Sequence, residues 1–139
     1  MAYYVGIDVG DVRVGLSISD KTKKIAFPLN VINRENNSFG FNKIKKLLEG
    51  KEVEAFVVGL PIRSDGVLGE QGKKVLQYIE SLKSYFPYEV ITWDERYSTA
   101  LAEKYLLESK IKRENRRKLI DKVAAQVILQ SFLDHLNKK

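Results

Sequence analysis

The chain contains no cysteine, and that absence excludes disulfide frameworks, thiol nucleophiles and cysteine-ligated zinc. Histidine occurs once, as His135, so a multi-histidine metal centre cannot be assembled. Prolines are few. Pro28, Pro61 and Pro87 each fall between periodic segments, where they break structure. No run of about 18 apolar residues is present, so no membrane-spanning segment is expected. The opening, MAYYVGIDVG, has neither a basic start nor a long apolar stretch, so a secretory signal is not expected and a cytoplasmic location is. Neither a Walker A loop nor the GxGxxG dinucleotide fingerprint appears.

What is there is an ordinary globular composition, 44% hydrophobic and 30% charged over 139 residues. That length fits one domain spanning 1–139. Lys and Arg number 24 against 18 Asp and Glu, a net charge of +6. A basic balance favours a polyanionic partner, nucleic acid before membrane, although charge by itself serves solubility equally well.

Periodicity gives the elements. Tyr3 to Val9 is apolar and reads as a buried strand. Val12, Val14, Leu16 and Ile18 alternate with Arg13, Gly15, Ser17 and Ser19, the period of a half-buried strand. Ile25 to Ile32 reads as a third strand, antiparallel because its connection is short. Phe41, Ile44, Leu47 and Leu48 recur at helical spacing. Ala55 to Val58 is a short buried run in the parallel style. Val75, Leu76, Ile79, Leu82 and Phe86 mark a second helix, and Glu89 to Trp93 a fifth strand. A third helix is expected to start with Ser98 or Thr99 as its N-cap. A last helix is expected from about Leu119 to Leu136. The order β-β-β-α-β-α-β-α-α predicts an α/β fold. Its mixed sheet has five strands, a three-stranded antiparallel meander plus two parallel strands, flanked by helices.

Three acids carry the chemistry. Asp8 ends an apolar strand, where a carboxylate is costly unless paired or bound to a metal, and its neighbours Gly6 and Gly10 permit close approach. A turn aspartate or a partner for Arg13 is the plainer reading. Asp94-Glu95-Arg96 follow the fifth strand at its carboxyl end, where open α/β sheets bind ligands. A surface ion pair would also account for the tripeptide. Asp121 opens the last helix, with small residues Ala124 and Ala125 after it. A first-turn aspartate favouring the helix dipole, worth under about 1 kcal/mol, is its plainer reading.

Taken together, three separated acids can converge at one sheet edge. Carboxylate oxygens suit Mg²⁺ or Mn²⁺, and two such ions about 4 Å apart support phosphodiester hydrolysis. Arg13, Arg96 and the run Lys110, Lys112, Arg113, Arg116, Arg117 and Lys118 are candidates to hold a nucleic-acid backbone. A long glycine-bearing loop, Gly59 to Gly69, follows a strand and can close over a site.

Several motifs in order resemble the YqgF family, also called RuvX. They are Gly6-Ile7-Asp8-Val9-Gly10, Arg13-Val14-Gly15, Ser19-Asp20, Val58-Gly59-Leu60-Pro61, Trp93-Asp94-Glu95-Arg96 with Ser98-Thr99 and Ala102-Glu103, and Ile120-Asp121 with Ala124-Ala125. Together they span nearly the whole chain. The resemblance implies an RNase H-like fold and a nuclease for the 5′ end of pre-16S ribosomal RNA. Holliday junction resolution was the activity proposed earlier. It also implies that Asp8, Glu95 and Asp121 are catalytic and metal-binding, and that Arg13 and Arg96 lie near them. The segment Ile62-Arg63-Ser64 departs from the Asn-Met type of sequence associated with that loop.

The expected partners are pre-ribosomal RNA or branched DNA, with ribosomal precursor particles as a further one and no membrane. The chain is expected to act as a monomer or weak homodimer. The alternatives are a Holliday junction resolvase and a non-catalytic nucleic-acid-binding module. An actin-like or sugar-kinase-like phosphotransferase also opens on an Asp-x-Gly strand, but needs two such domains.

Overall fold

Alternation in the strands sets up two unlike sheet faces. The computed structural model describes residues 2–35, 38–98 and 113–138, with the backbone alone over 113–122. Its strands are β1 (Tyr3–Val9), β2 (Arg13–Ser19), β3 (Ala26–Asn33), β4 (Val53–Leu60) and β5 (Glu89–Asp94). Its helices are α1 (Phe41–Leu47), α2 (Glu70–Tyr85) and α3 (Arg113–Leu136), and residues 95–98 make a further helical turn. The sheet order is β3-β2-β1-β4-β5. β1 pairs antiparallel with β2, and β2 with β3, while β4 runs parallel to β1 and to β5. The expected meander with two parallel strands is therefore present. Among the described residues no helix is long and apolar enough to cross a membrane.

One face carries the large side chains. Val5, Ile7, Val14, Phe56 and Val58 have no exposed surface and pack with Ile44, Leu48, Val75, Ile79 and Leu82 of the α1 and α2 segments. Burying each such side chain contributes about 1.5–3 kcal/mol. Tyr78 closes this layer: its hydroxyl donates to the Phe39 carbonyl at 2.8 Å, and burial raises its pKa.

The other face is built from small residues and, among the described residues, is covered by α3. It presents Gly6, Gly15, Ser17, Ser19, Ala26, Ala55 and Gly59, so the helix lies close. Ile128, Leu129, Phe132 and Leu133 fill the contact against Val57 and Ala26. The buried Ser17 hydroxyl donates to the Ala125 carbonyl at 2.6 Å. Gln126 and Gln130 pair with both backbone groups of Ala26, at 3.0 and 2.9 Å. These bonds fix the helix along the strands.

Gly6 shows how little clearance remains. A Cβ there would stand 2.9 Å from the Ala125 carbonyl oxygen and 2.8 Å from the Leu129 Cβ. Neither neighbour is the free end of a flexible chain. Gly6→Ala is expected to lower stability by about 1–3 kcal/mol, the usual cost of overpacking. Urea unfolding checks this, and an unchanged midpoint would mean that α3 can back away from the sheet.

Two sequence expectations are corrected. Ser98 does not open a helix, because a helical turn is already under way from residue 95; the rest of the expected third helix, Thr99 included, lies outside the described residues. The cap of that turn is Asp94, whose Oδ1 accepts from the Arg96 backbone N–H at 2.9 Å. The last helix begins at Arg113 rather than near Leu119, because the polar run before Leu119 continues the helix. Asp121 thus lies about two turns inside α3, beyond the first turn where the helix dipole acts. The first-turn reading of Asp121 fails on that ground.

Candidate active site

Asp8 is half-buried near the carboxyl end of β1. Its partner on β2 is Gly15. On β4, Val58 pairs with Ile7, so the next residue, Gly59, flanks Asp8 from the other side. Both neighbours lack side chains, and this clears space around the carboxylate. A Cβ on Gly15 would come 3.7 Å from the Asp8 Cβ. A Cβ on Gly59 would come 2.9 Å from both Cγ and Oε1 of Glu95. Gly59 is therefore a site residue in a steric sense, a role not assigned to it from its place in a loop motif.

Glu95 directly follows β5 and reaches toward Asp8. Its pKa is pushed up to about 8, first by burial, then by the Asp8 charge and by a side-chain hydrogen bond with Asp8, then by the Asp94 charge. Two carboxyls in contact cannot both ionise cheaply, so Glu95 keeps its proton and uses it to donate a hydrogen bond to Asp8. Asp94 behaves differently. Arg96 folds back onto it in a fork, with Nη2 to Oδ2 at 2.7 Å and Nε to Oδ2 at 3.0 Å. That guanidinium holds Asp94 below its ordinary pKa. Asp94 is thus a cap and ion-pair partner, and Arg96 is turned toward it.

Arg13 stands at the rim, exposed at the start of β2, and by strand alternation it shares the face of Gly15. The turn before it is fixed from both sides. The Gly10 N–H donates to the Arg13 carbonyl at 2.9 Å, and Arg34 Nη1 donates to the Gly10 carbonyl at 2.6 Å. The Arg34 guanidinium also lies over the rings of Phe39 and Tyr78, 5.3 and 5.7 Å from their centroids. Nothing in the sequence separates Arg34 from the other basic residues. Asp20, part of a family-like motif, organises the β2–β3 turn instead: its Oδ1 accepts from Lys24 and Ile25 N–H at 2.8 and 2.9 Å. The loop after β4 is tied into its own turn by Arg63 N–H to the Val67 carbonyl at 3.0 Å and by an Arg63–Asp65 ion pair at 2.9 Å.

The structure brings Asp8 and Glu95 together. Asp121 lies on α3 one turn before Ala125, the residue seated over Gly6 and Gly15; its side chain is outside the described residues. Arg113, Arg116, Arg117 and Lys118 fall within α3, with side chains outside the described residues, as Lys110 and Lys112 are altogether. Among the described residues no group of three or more His, Asp or Glu is gathered. The donor set nonetheless suits a hard cation. Two carboxyls abut at the strand ends, glycines clear the space beside them, and a divalent ion between them would relieve the repulsion that keeps Glu95 protonated.

This acid pair at the ends of β1 and β5, on a sheet of this order, sits within a chain that matches a family model from residue 2 to 135, described as "RuvX: Holliday junction resolvase". The chain belongs to the RuvX family. A protein of Thermoanaerobacter pseudethanolicus, named "Putative pre-16S rRNA nuclease", is 43% identical over 97% of this chain and 98% of its own length. A protein of Desulforamulus reducens with the same name is 42% identical over 94% and 95%. Among solved structures, RuvC of T. thermophilus in complex with Holliday junction substrate superposes with a TM-score of 0.57 at 14% identity, covering 99% of this chain and 97% of that one. The fowlpox virus resolvase with Holliday junction DNA gives a TM-score of 0.50 at 11% identity, covering 98% and 99%. These likenesses show the fold, which is RNase H-like. The RuvX chain shares it with resolvases while its sequence stands with the relatives named for ribosomal RNA.

Proposed function

We propose that this RuvX protein is a metal-dependent nuclease that hydrolyses phosphodiester bonds, acting in maturation of the 5′ end of pre-16S ribosomal RNA. The observation that carries the reading is the Asp8–Glu95 carboxyl pair, held in contact at the strand ends with Gly15 and Gly59 clearing the space beside it. Asp8, Glu95 and Asp121 would hold two Mg²⁺ or Mn²⁺ ions, and these when bound activate water and stabilise the leaving oxygen. The chain's own residues do the rest. Glu95 would release its proton to solvent to serve as a ligand, and Gly59 leaves room for its carboxyl. Arg13 at the rim and the basic run entering α3 hold the phosphate backbone. The relatives' names support ribosomal RNA as the substrate.

The family description and the two resolvase structures favour a second reading, cleavage of four-way DNA junctions. Symmetric cutting of two strands needs two sites, hence a dimer. The deciding experiment incubates the protein with 5′-extended 16S precursor RNA and with a four-way junction, each in Mg²⁺, Mn²⁺ and chelator. Metal-dependent cutting of the RNA alone is expected. Paired symmetric cuts in the junction would move the assignment to resolvase. Retarded migration with no cleavage of either substrate would leave a binding module.

A further inference from the structure

A second feature adjoins the acid pair and plays no part in the chemistry above. Trp93 and Tyr97 lie two residues to either side of Glu95. Trp93 shares the α3-facing side of the sheet with Asp8 and Glu95, and like Tyr4 and Ile91 it packs against the cluster that α3 forms with the sheet. Its indole N–H donates to the Ser131 hydroxyl at 3.0 Å, and Phe132 meets it edge-on at 5.6 Å. Two more rings stand around it. Tyr97 lies 5.7 Å away at 44°, and His135 lies 5.3 Å away at 51°. Trp93, Tyr97 and His135 line an open cleft of about 460 Å³, together with Lys138. Asp134 also lines the cleft, and its carboxylate accepts from Gln130 Nε2 at 2.9 Å. Tyr97 is 62% exposed, so its ring contributes little to the core.

We propose that this cleft is a stacking site for an unpaired nucleobase of the bound nucleic acid, flanking the phosphodiester that is cut. The inference rests on the nuclease reading above and deepens it. Three points choose a base over a peptide or a second copy. Two of the residues lining the cleft, Trp93 and Tyr97, stand two positions to either side of Glu95, which places the cleft next to the acid pair along the chain. Its walls are aromatic rings with a lysine beside them, the combination that stacks bases while contacting the phosphate chain. The chain's net charge of +6 draws a polyanion to the protein, and Lys138 offers a cation to it at the cleft beside the paired Asp134. Stacking requires a base free of its partner, so the substrate must be single-stranded, or locally opened, next to the cut.

Trp93 is the only tryptophan, so its emission reports on this cleft alone. In chelator, a ten-nucleotide oligouridylate is expected to quench it saturably, while an abasic oligomer of equal length and charge leaves it nearly unchanged. Tyr97→Ala is expected to weaken oligouridylate binding about tenfold, within the range for loss of one stacked base, and Tyr97→Phe to stay within about twofold of the parent. Equal quenching by the abasic oligomer would overturn the proposal. So would unchanged affinity in Tyr97→Ala, or emission that stays constant while gel retardation reports binding. A dimer in sedimentation that Tyr97→Ala dissociates would reassign the cleft to a second copy. If the protein cuts RNA but Trp93 stays silent, the stacking site alone fails. If it neither binds nor cuts any nucleic acid, the nuclease reading fails first.

Discussion

Asp8→Asn is expected to lower metal-dependent cleavage by about 10³-fold or more while the protein stays folded. The substitution keeps the shape and removes the charge. A carboxylate that helps hold a divalent ion contributes several kcal/mol to stabilising the transition state, and each 1.36 kcal/mol is a factor of ten in rate. The fold should not suffer. Asp8 faces Gly15 and the clearance beside Gly59 rather than a packed apolar wall, and an amide there still accepts the hydrogen bond from Glu95. Removing the Asp8 charge also makes it easier for Glu95 to ionise, so near and above pH 8 stability in chelator should be equal or higher. The measurement pairs single-turnover cleavage with urea unfolding of the same preparation. Near-parent cleavage by a folded Asp8→Asn protein would take Asp8 out of the site. Loss of both activity and fold would make it a structural residue.

Glu95→Gln is expected to abolish cleavage and also to change how stability depends on pH. In the folded protein Glu95 keeps its proton up to about pH 8, whereas in the unfolded chain it ionises near its ordinary value of 4.5. Between those values the folded state holds more protons than the unfolded state, so stability must fall as pH rises. The contribution is fully present below about pH 4.5 and is lost as pH passes through about 8. At its steepest the slope is about 1.4 kcal/mol per pH unit. Glutamine cannot ionise, so in chelator the variant should lose most of this slope and be the more stable protein at pH 8. Parallel stability curves for parent and variant from pH 5 to 8 would show that Glu95 is not held protonated against Asp8. The residue that makes the metal-free fold less stable is thus the one assigned to the chemistry, a conflict typical of functional sites.

Much of the scaffold was legible in the sequence because strand and helix periods leave a direct mark on the order of residues. The meander, the two parallel strands and the helices between them follow from where apolar residues recur. Boundaries were less legible where polar residues continue an element. Arg113 to Lys118 has no apolar stripe, yet it is the start of α3. Asp94 gave no local sign that it, rather than Ser98 or Thr99, caps the turn at 95–98, because a cap is decided by which side chain reaches a free N–H. The acids themselves stood out, since a carboxylate at the end of an apolar strand is an expensive placement.

By itself, the sequence determined the chemistry on offer and the order of the elements. It ruled out thiol and multi-histidine sites and proposed carboxylates as the reacting groups, and its ordered motifs pointed to the family. Only the tertiary structure decided which of these groups meet. Asp8 and Glu95 are separated by most of the chain, and they touch because β1 and β5 flank β4 at a position where β4 carries Gly59. The same geometry separates Glu95 from Asp94, its immediate neighbour, which turns outward to Arg96. It also gathers Trp93, Tyr97 and His135 into one cleft. Periodicity is a local property and can be read from the chain. Contact between distant side chains depends on register and clearance, which are set only when the sheet and α3 pack together.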